Sequence, residues 1–221
     1  MENLYCKSEG VTMKEFSVEN WKRKEQFEFF KDYEDPFFNI TVNLEVTKLY
    51  NFCKKNKLSF SLACIYVALK SINEIPEFKL RINNNKVYIF DEVNIGSTVL
   101  NEDNTFSFCN FPIKPTIFEF DTSGEKVMEA HKKGVTLGAQ ENELGIIHCS
   151  TLPWFTFTSV KHARKGDEKN KGIPKIVFGG LFTENDQRKI PFSVEVHHAL
   201  LDGFHVSQLI AKMKSFIDEL E

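Results

Sequence analysis

The 221-residue chain has no excess of basic residues. Its 28 Lys and Arg against 31 Asp and Glu leave a formal net charge of -3, so no overall positive field draws in nucleic acid or an anionic bilayer. It has no long apolar run either: the longest, Phe60 to Leu69, is closed by Lys70 and falls well short of the ~20 residues a spanning helix needs. The opening stretch MENLYCKSEG carries an early acid and no apolar h-region, which argues against a secretory signal and for the cytoplasm. Cys6, Cys53, Cys64, Cys109 and Cys149 are odd in number and scattered, with no CxxC and no paired Cys/His spacing. They read as free thiols, and no metal is expected. Internal repeats, low-complexity tracts and interdomain linkers are absent from the sequence.

What is there is apolar and aromatic. With 42% hydrophobic residues and 22 Phe the chain holds enough apolar surface for one continuous core. Many of the Phe residues alternate with polar ones, the mark of a packed sheet. FFNITVNLEV (37–46) predicts a strand, KLRINNNKVYIFD a hairpin, and NIGSTVL and TFSFCNF further strands. LGIIHCSTLPWFTFTSV, KIVFGGLF and IPFSVEVHH predict three core strands. Leu62, Ile65, Tyr66, Leu69 and Ile72 recur at helical spacing in a central helix, and Val206, Leu209, Ile210, Met213, Phe216, Ile217 and Leu220 line one face of a closing helix from Gly203. A further helix ends before Gly134, with Gly124 weakening its start. The charged run 163–173 reads as a solvated loop. Patterned sequence begins at Met13, so residues 1–12 read as an extension and 13–221 as a single mixed α/β domain. Its expected architecture is a two-layer sandwich, a large mixed β-sheet covered by helices.

The chemistry concentrates in VEVHHALLDGFHV, 194–206. Period-2 alternation sends Phe192, Val194, Val196 and His198 to one side of the strand, and Ser193, Glu195 and His197 to the other. A neutral imidazole at His198 can take a proton from a hydroxyl near pH 7, although a histidine on an apolar face also fits a satisfied core residue. Asp202 stands where a helix cap is favoured. It could also orient His198 in the manner of a hydrolase triad, but the Leu200-Leu201 spacer does not guarantee contact. His197 and His205 read as structural, and His131 as a surface residue at a helix end. Pro153 and Trp154 read as packing residues.

HHALLDG resembles the HHxxxDG signature of the chloramphenicol acetyltransferase family. FSVENWKRKEQFEFF is similar to that family's opening F-x-x-x-x-W-x-R-x-x-x-F-E-F segment, and STLPWFTFTS to its S-x-x-P-W stretch. Three motifs in the right order identify the chain, from about Phe16 onward, as a member. HHxxxDG alone is also similar to dihydrolipoamide acyltransferase cores and peptide-synthetase condensation domains; the W-x-R opening and the absence of a preceding lipoyl domain and linker argue against those.

The resemblance implies an acetyl-CoA-dependent O-acetyltransferase acting on chloramphenicol, with a related acyltransferase for another hydroxyl acceptor as the alternative. It implies His198 as the base and Ser150 as hydrogen-bond donor to the tetrahedral oxyanion, with no acyl-enzyme. Asp202 and Arg23 are implied as an ion pair that braces the site. It further implies a homotrimer with its active sites at subunit boundaries, and a CoA tunnel that needs no glycine-rich nucleotide motif. An aromatic acceptor pocket is kept at Phe29, Phe106 and Phe108. The pattern departs at Phe30, where Tyr is common, at Val160 and His162, where Phe and Leu are usual, and at Leu137, which replaces a pocket Phe. It also departs at Val177, where the family has a Thr that helps hold an ordered water, and at Gly180-Leu181, which replace Lys-Tyr. These changes fall on the acceptor wall and leave His198 and Ser150 in place.

Overall fold

The computed structural model describes residues 12–131, 143–164, 166 and 171–221. Its main sheet runs β2 (Phe37–Glu45), β10 (Gln187–His197), β8 (Lys175–Phe178), β7 (Ile146–Thr151), β5 (Asn94–Leu100) and β6 (Phe106–Phe111), with β9 (Phe182–Glu184) paired to the start of β10. β7 is parallel to both its neighbours and the other pairs are antiparallel. The sheet is therefore mixed, as expected. A small second sheet joins β1 (Met13–Glu15), β4 (Lys86–Phe90) and β3 (Leu80–Asn83). The Asn run between β3 and β4 makes the hairpin, with Asn84 and Asn85 at φ 49° and 61°, the left-handed pair that a two-residue turn requires.

The helices are α1 (Lys24–Phe30), α2 (Thr47–Asn56), α3 (Phe60–Asn73), α4 (Ile117–His131) and α5 (Gly203–Asp218). Side chains of α2 to α5 merge with Ile95, Cys149, Ile176, Phe178, Phe192, Val194 and Val196 in one buried cluster, so the helices form a layer on one face of the sheet. α3 is central: Leu62, Ala63, Val67, Ala68, Leu69 and Ile72 are all buried. Gly124 does not delay α4. A Cβ there would lie 2.8 Å from Leu62 Cδ2, so the glycine admits close approach of α4 to α3. Gly134 lies outside the described residues.

Two expectations are corrected. The strand expected through LGIIHCSTLPWFTFTSV ends at Thr151. Leu152 N still donates to Phe178 O at 2.8 Å, but Pro153 has no N–H to continue the ladder. Residues 152–164 then run as irregular chain, with Trp154 65% and Phe155 54% exposed. KIVFGGLF is likewise split, because β8 ends at Phe178 where Gly179 and Gly180 pack tightly. A Cβ on Gly180 would meet the carbonyl oxygens of Pro153 and Phe155, each at 3.0 Å.

Candidate active site

β10 leads into a tight turn. Leu200 N and Leu201 N both donate to His197 O at 3.0 Å, and Ala199, Leu200 and Leu201 are buried. Gly172 supports the turn from beneath: it sits at φ +67°, and a Cβ there would collide with Leu200 Cδ1 at 2.6 Å. Asp202 caps α5, its Oδ1 accepting from Phe204 N at 3.0 Å while its own N–H donates to His205 Nδ1 at 3.1 Å.

His198 is the half-buried residue that this turn presents. Its N–H donates to Pro36 O at 2.8 Å, and its carbonyl accepts from Arg23 Nη2 at 3.3 Å. The imidazole lies flat on Phe30, centroids 3.9 Å apart and planes 5° from parallel, with Phe38 tilted against it at 4.7 Å. Nδ1 is buried and bonds to no described protein group, so aromatic packing, and not a carboxylate, holds the ring. Arg23 Nη1 pairs with Asp202 Oδ2. Asp202 Oδ1 is committed to the α5 cap and Oδ2 to Arg23, and His198 Nδ1 bonds to neither, so the hydrogen bond a triad needs is not made. Burial works against ionising Asp202, but the Arg23 guanidinium and His205 outweigh it and hold the carboxyl below its usual range.

Ser150 lies elsewhere. It pairs in register with Val177, which pairs with Ser193, which pairs with Thr41. That row belongs to the face turned away from the helices, because Val194 and Val196 occupy the other. His198 packs instead on Phe38, the register partner of Val196. A single chain therefore puts the imidazole and the hydroxyl on opposite faces of the sheet, two strands apart. Cys149, next to Ser150, points into the core, where burial pushes its thiol up to about 12; it is no nucleophile at neutral pH.

The residues implied for the acceptor wall fall in two groups. Phe29 and Phe30 form an aromatic cluster with Tyr33 beside His198, and Phe29 is 62% exposed. Phe106 and Phe108 stand exposed on β6 with their rings 5.6 Å apart, on the same sheet face as Ser150 by the pairing Thr98 to Phe108 and Gly96 to His148. Val177 is buried and Val160 half-buried. His162 Nδ1 comes within 3.6 Å of Glu195 Oε1. Leu137 lies outside the described residues.

Sequence reasoning missed a charged cluster on this face. Arg164, read as part of a solvated loop, pairs with both Asp35 and Glu195. Lys175, the register partner of Glu195, donates to Ala163 O at 3.2 Å. Glu195 is buried, which favours the neutral acid, yet the neighbouring His162 and Arg164 hold its carboxyl below the ordinary value. Alternation did assign Glu195 to the side opposite the core. That residues 160–164 would cover it had no local signal. A cavity of about 520 Å³ opens beside the cluster, lined by Asp35, Phe37, His162 and Arg164 among others. A larger groove of about 650 Å³ along α4, between Lys114 and Lys126, is remote from this chemistry. Among the described residues no three His, Cys, Asp or Glu gather as metal ligands, and no helix is long and apolar enough to cross a membrane.

The length and fold of this chain have counterparts in known proteins. The family model described as Chloramphenicol acetyltransferase matches residues 11–214. Chloramphenicol acetyltransferase 3 of Escherichia coli is 30% identical over 204 residues, covering 90% of this chain and 94% of that protein. The chloramphenicol acetyltransferase of Proteus mirabilis is 28% identical over 203 residues, 91% of this chain and 93% of its own. A solved chloramphenicol acetyltransferase superposes with a TM-score of 0.86 at 27% identity, covering 93% of this chain and 99% of that one. A probable dihydrolipoamide acetyltransferase from Listeria monocytogenes 4b F2365 reaches a TM-score of 0.63 at 13% identity, over 90% of each chain, and so shares the fold. With nearly the whole length matched, this chain belongs to the chloramphenicol acetyltransferase family.

Proposed function

We propose that the protein is a cytoplasmic O-acetyltransferase that inactivates chloramphenicol by moving an acetyl group from acetyl-CoA to one of its hydroxyls, in a homotrimer. His198 removes the acceptor's hydroxyl proton through Nε2, the ring nitrogen left once Nδ1 is enclosed. The alkoxide attacks the thioester carbonyl, and the Ser150 hydroxyl donates to the resulting oxyanion. Collapse expels the CoA thiolate, which takes back the proton from the imidazolium. Acetyl ester and free thiol are the products, and no acyl-enzyme forms.

The observation that carries this reading is the mounting of His198: a half-buried imidazole stacked on Phe30, on a turn fixed by Arg23 and Asp202. The separation of His198 and Ser150 supports a site shared between copies, as the trimer requires, since a second copy can bring its Ser150 face to the first copy's base. Phe106, Phe108 and the Phe29–Phe30 cluster would then meet across that boundary as acceptor walls. A second reading, acyl transfer to a different hydroxyl compound, is favoured by the charged cluster of His162, Arg164, Lys175 and Glu195 on the Ser150 face.

The test is release of free thiol from acetyl-CoA with chloramphenicol and with a panel of other alcohols, the products identified by mass. Turnover of chloramphenicol that disappears in His198→Ala while the fold persists is the expected result. Turnover confined to another alcohol selects the second reading, and an active His198→Ala variant overturns both.

A further inference from the structure

Arg164 stands where the two segments that flank His198 meet. Its Nη1 pairs with Asp35 Oδ1 and its Nη2 with Glu195 Oε1 at 2.9 Å, while the guanidinium lies over the Phe37 ring, 4.1 Å from the centroid. Each partner lies on a segment that leads to His198. Asp35 precedes Pro36, whose carbonyl takes the His198 N–H at 2.8 Å. Glu195 lies three residues before His198 on β10. Phe37 is the register partner of His197, their rings edge to face at 5.1 Å. One planar cation thus ties the start of β2 to the end of β10 where both support the turn.

We propose that Arg164 is a positioning residue for His198, a second arginine brace that acts from the opposite face of the sheet to Arg23. Arg23 holds the exit of the turn through Asp202 and the His198 carbonyl; Arg164 holds its entry. The guanidinium suits this task because its fork engages two carboxylates in fixed directions while its face stacks on an aromatic ring, which a lysine ammonium cannot do. The Glu195 carboxylate is 3% exposed, so its ion pair with Arg164 is shielded from competing water. Other polar groups hold the brace in place. His162 lies against Glu195, and Lys175 ties down Ala163, the residue before Arg164. The brace also makes the segment that leaves the Ser150 strand a support for the His198 turn of its own chain.

This rests on His198 being the base, so the experiment reads the imidazole directly as well as the rate. Histidine-labelled protein gives six imidazoles, and comparison with His198→Ala identifies the signal of His198. In Arg164→Gln that signal is expected to move or broaden, and kcat to fall about tenfold, as for a base displaced by a fraction of an ångström. KM for acetyl-CoA should change by less than about twofold, because uniform binding is untouched. Arg164→Lys falls between the two. The Arg164→Gln loss should vanish on the residual rate of His198→Ala, since a brace has no effect once the group it aims is gone.

An unmoved His198 signal in folded Arg164→Gln overturns the proposal, as does a loss that persists undiminished in the His198→Ala background. Should Arg164→Gln fail to fold, Asp35→Asn carries the same test. The Asp35 side chain is 56% exposed, so the change spares the core, and a shifted His198 signal with kcat about threefold down is expected; an unmoved signal overturns the proposal. A protein that turns over no alcohol refutes the acetyltransferase reading, while the imidazole signal still reports whether Arg164 holds the ring.

Discussion

The Phe30 ring covers one face of the His198 imidazole at 3.9 Å, parallel within 5°. Phe30 ends α1, and Arg23, the residue before that helix, bonds the His198 carbonyl. One short helix and the residue before it therefore grip His198 by both its ring and its backbone. A stacked aromatic pair contributes about 1 kcal/mol beyond burial. Phe30→Leu, which keeps an apolar side chain and removes the stack, is expected to lower kcat about fivefold with little change in thermal stability. Steady-state kinetics beside a melting curve checks this.

The placement of His198 and Ser150 on opposite sheet faces makes a sharper prediction. His198→Ala should lose on the order of 10²- to 10⁴-fold and Ser150→Ala about 3 kcal/mol of transition-state stabilisation. Unfolding the two variants together and refolding them as a mixture should restore roughly a quarter of wild-type activity, because in a cyclic trimer a site can combine one copy's His198 with its neighbour's Ser150. A mixture no more active than its parts would place both groups in one subunit's site.

Acid should weaken the Arg23–Asp202 brace in a defined direction. The Asp202 carboxyl is held below its ordinary value in the folded chain, so the pair contributes in full above ~4, the unfolded carboxyl's value. Its contribution then fades as the pH falls through the lower folded value. Asp202→Asn, which keeps a capping side chain, is expected to cost about 1 kcal/mol at neutral pH, as for a partly exposed pair. The difference from wild type should shrink in melting curves taken below about pH 4. A gap that widens in acid would contradict this sign.

Arg81 offers a test of stability alone. It is fully buried and donates to four carbonyls: those of Phe78 and Leu80 at 2.9 and 2.7 Å, and those of Leu144 and Ile146 at 2.8 and 3.0 Å. Burial lowers its guanidinium to about 9, so it stays charged at neutral pH. It stitches β3 to the beginning of β7. Arg81→Met strands those carbonyls and should cost on the order of 3 kcal/mol, read as a lowered denaturant midpoint with unchanged slope.

Local pattern carried much of this molecule. The spacing of Leu62, Ile65, Leu69 and Ile72 marked α3, the Asn run marked the β3–β4 hairpin, and alternation placed Val194, Val196 and His198 on the core side. Each of these signals is complete within about ten residues, because helix and strand periods repeat over that length. The failures share a cause. Gly124 reads as a weak point until Leu62 is seen against it, and Trp154 reads as packing until Pro153 releases the chain from the ladder. Arg164 reads as solvated until Asp35, 129 residues away, closes on it.

By itself the sequence determined the chemistry on offer: an imidazole at the end of a strand, a capping carboxylate four residues on, a serine before Pro-Trp and an arginine after a tryptophan. Their order carried the family resemblance. Only the tertiary structure decided how those groups are shared out. It joined Arg23 to Asp202 across 179 residues, laid Phe30 on the His198 imidazole and left Ser150 on the other face. Side chains so far apart in the chain meet only where the layers close, and that closure is set by the packing of the whole core, which no short window contains.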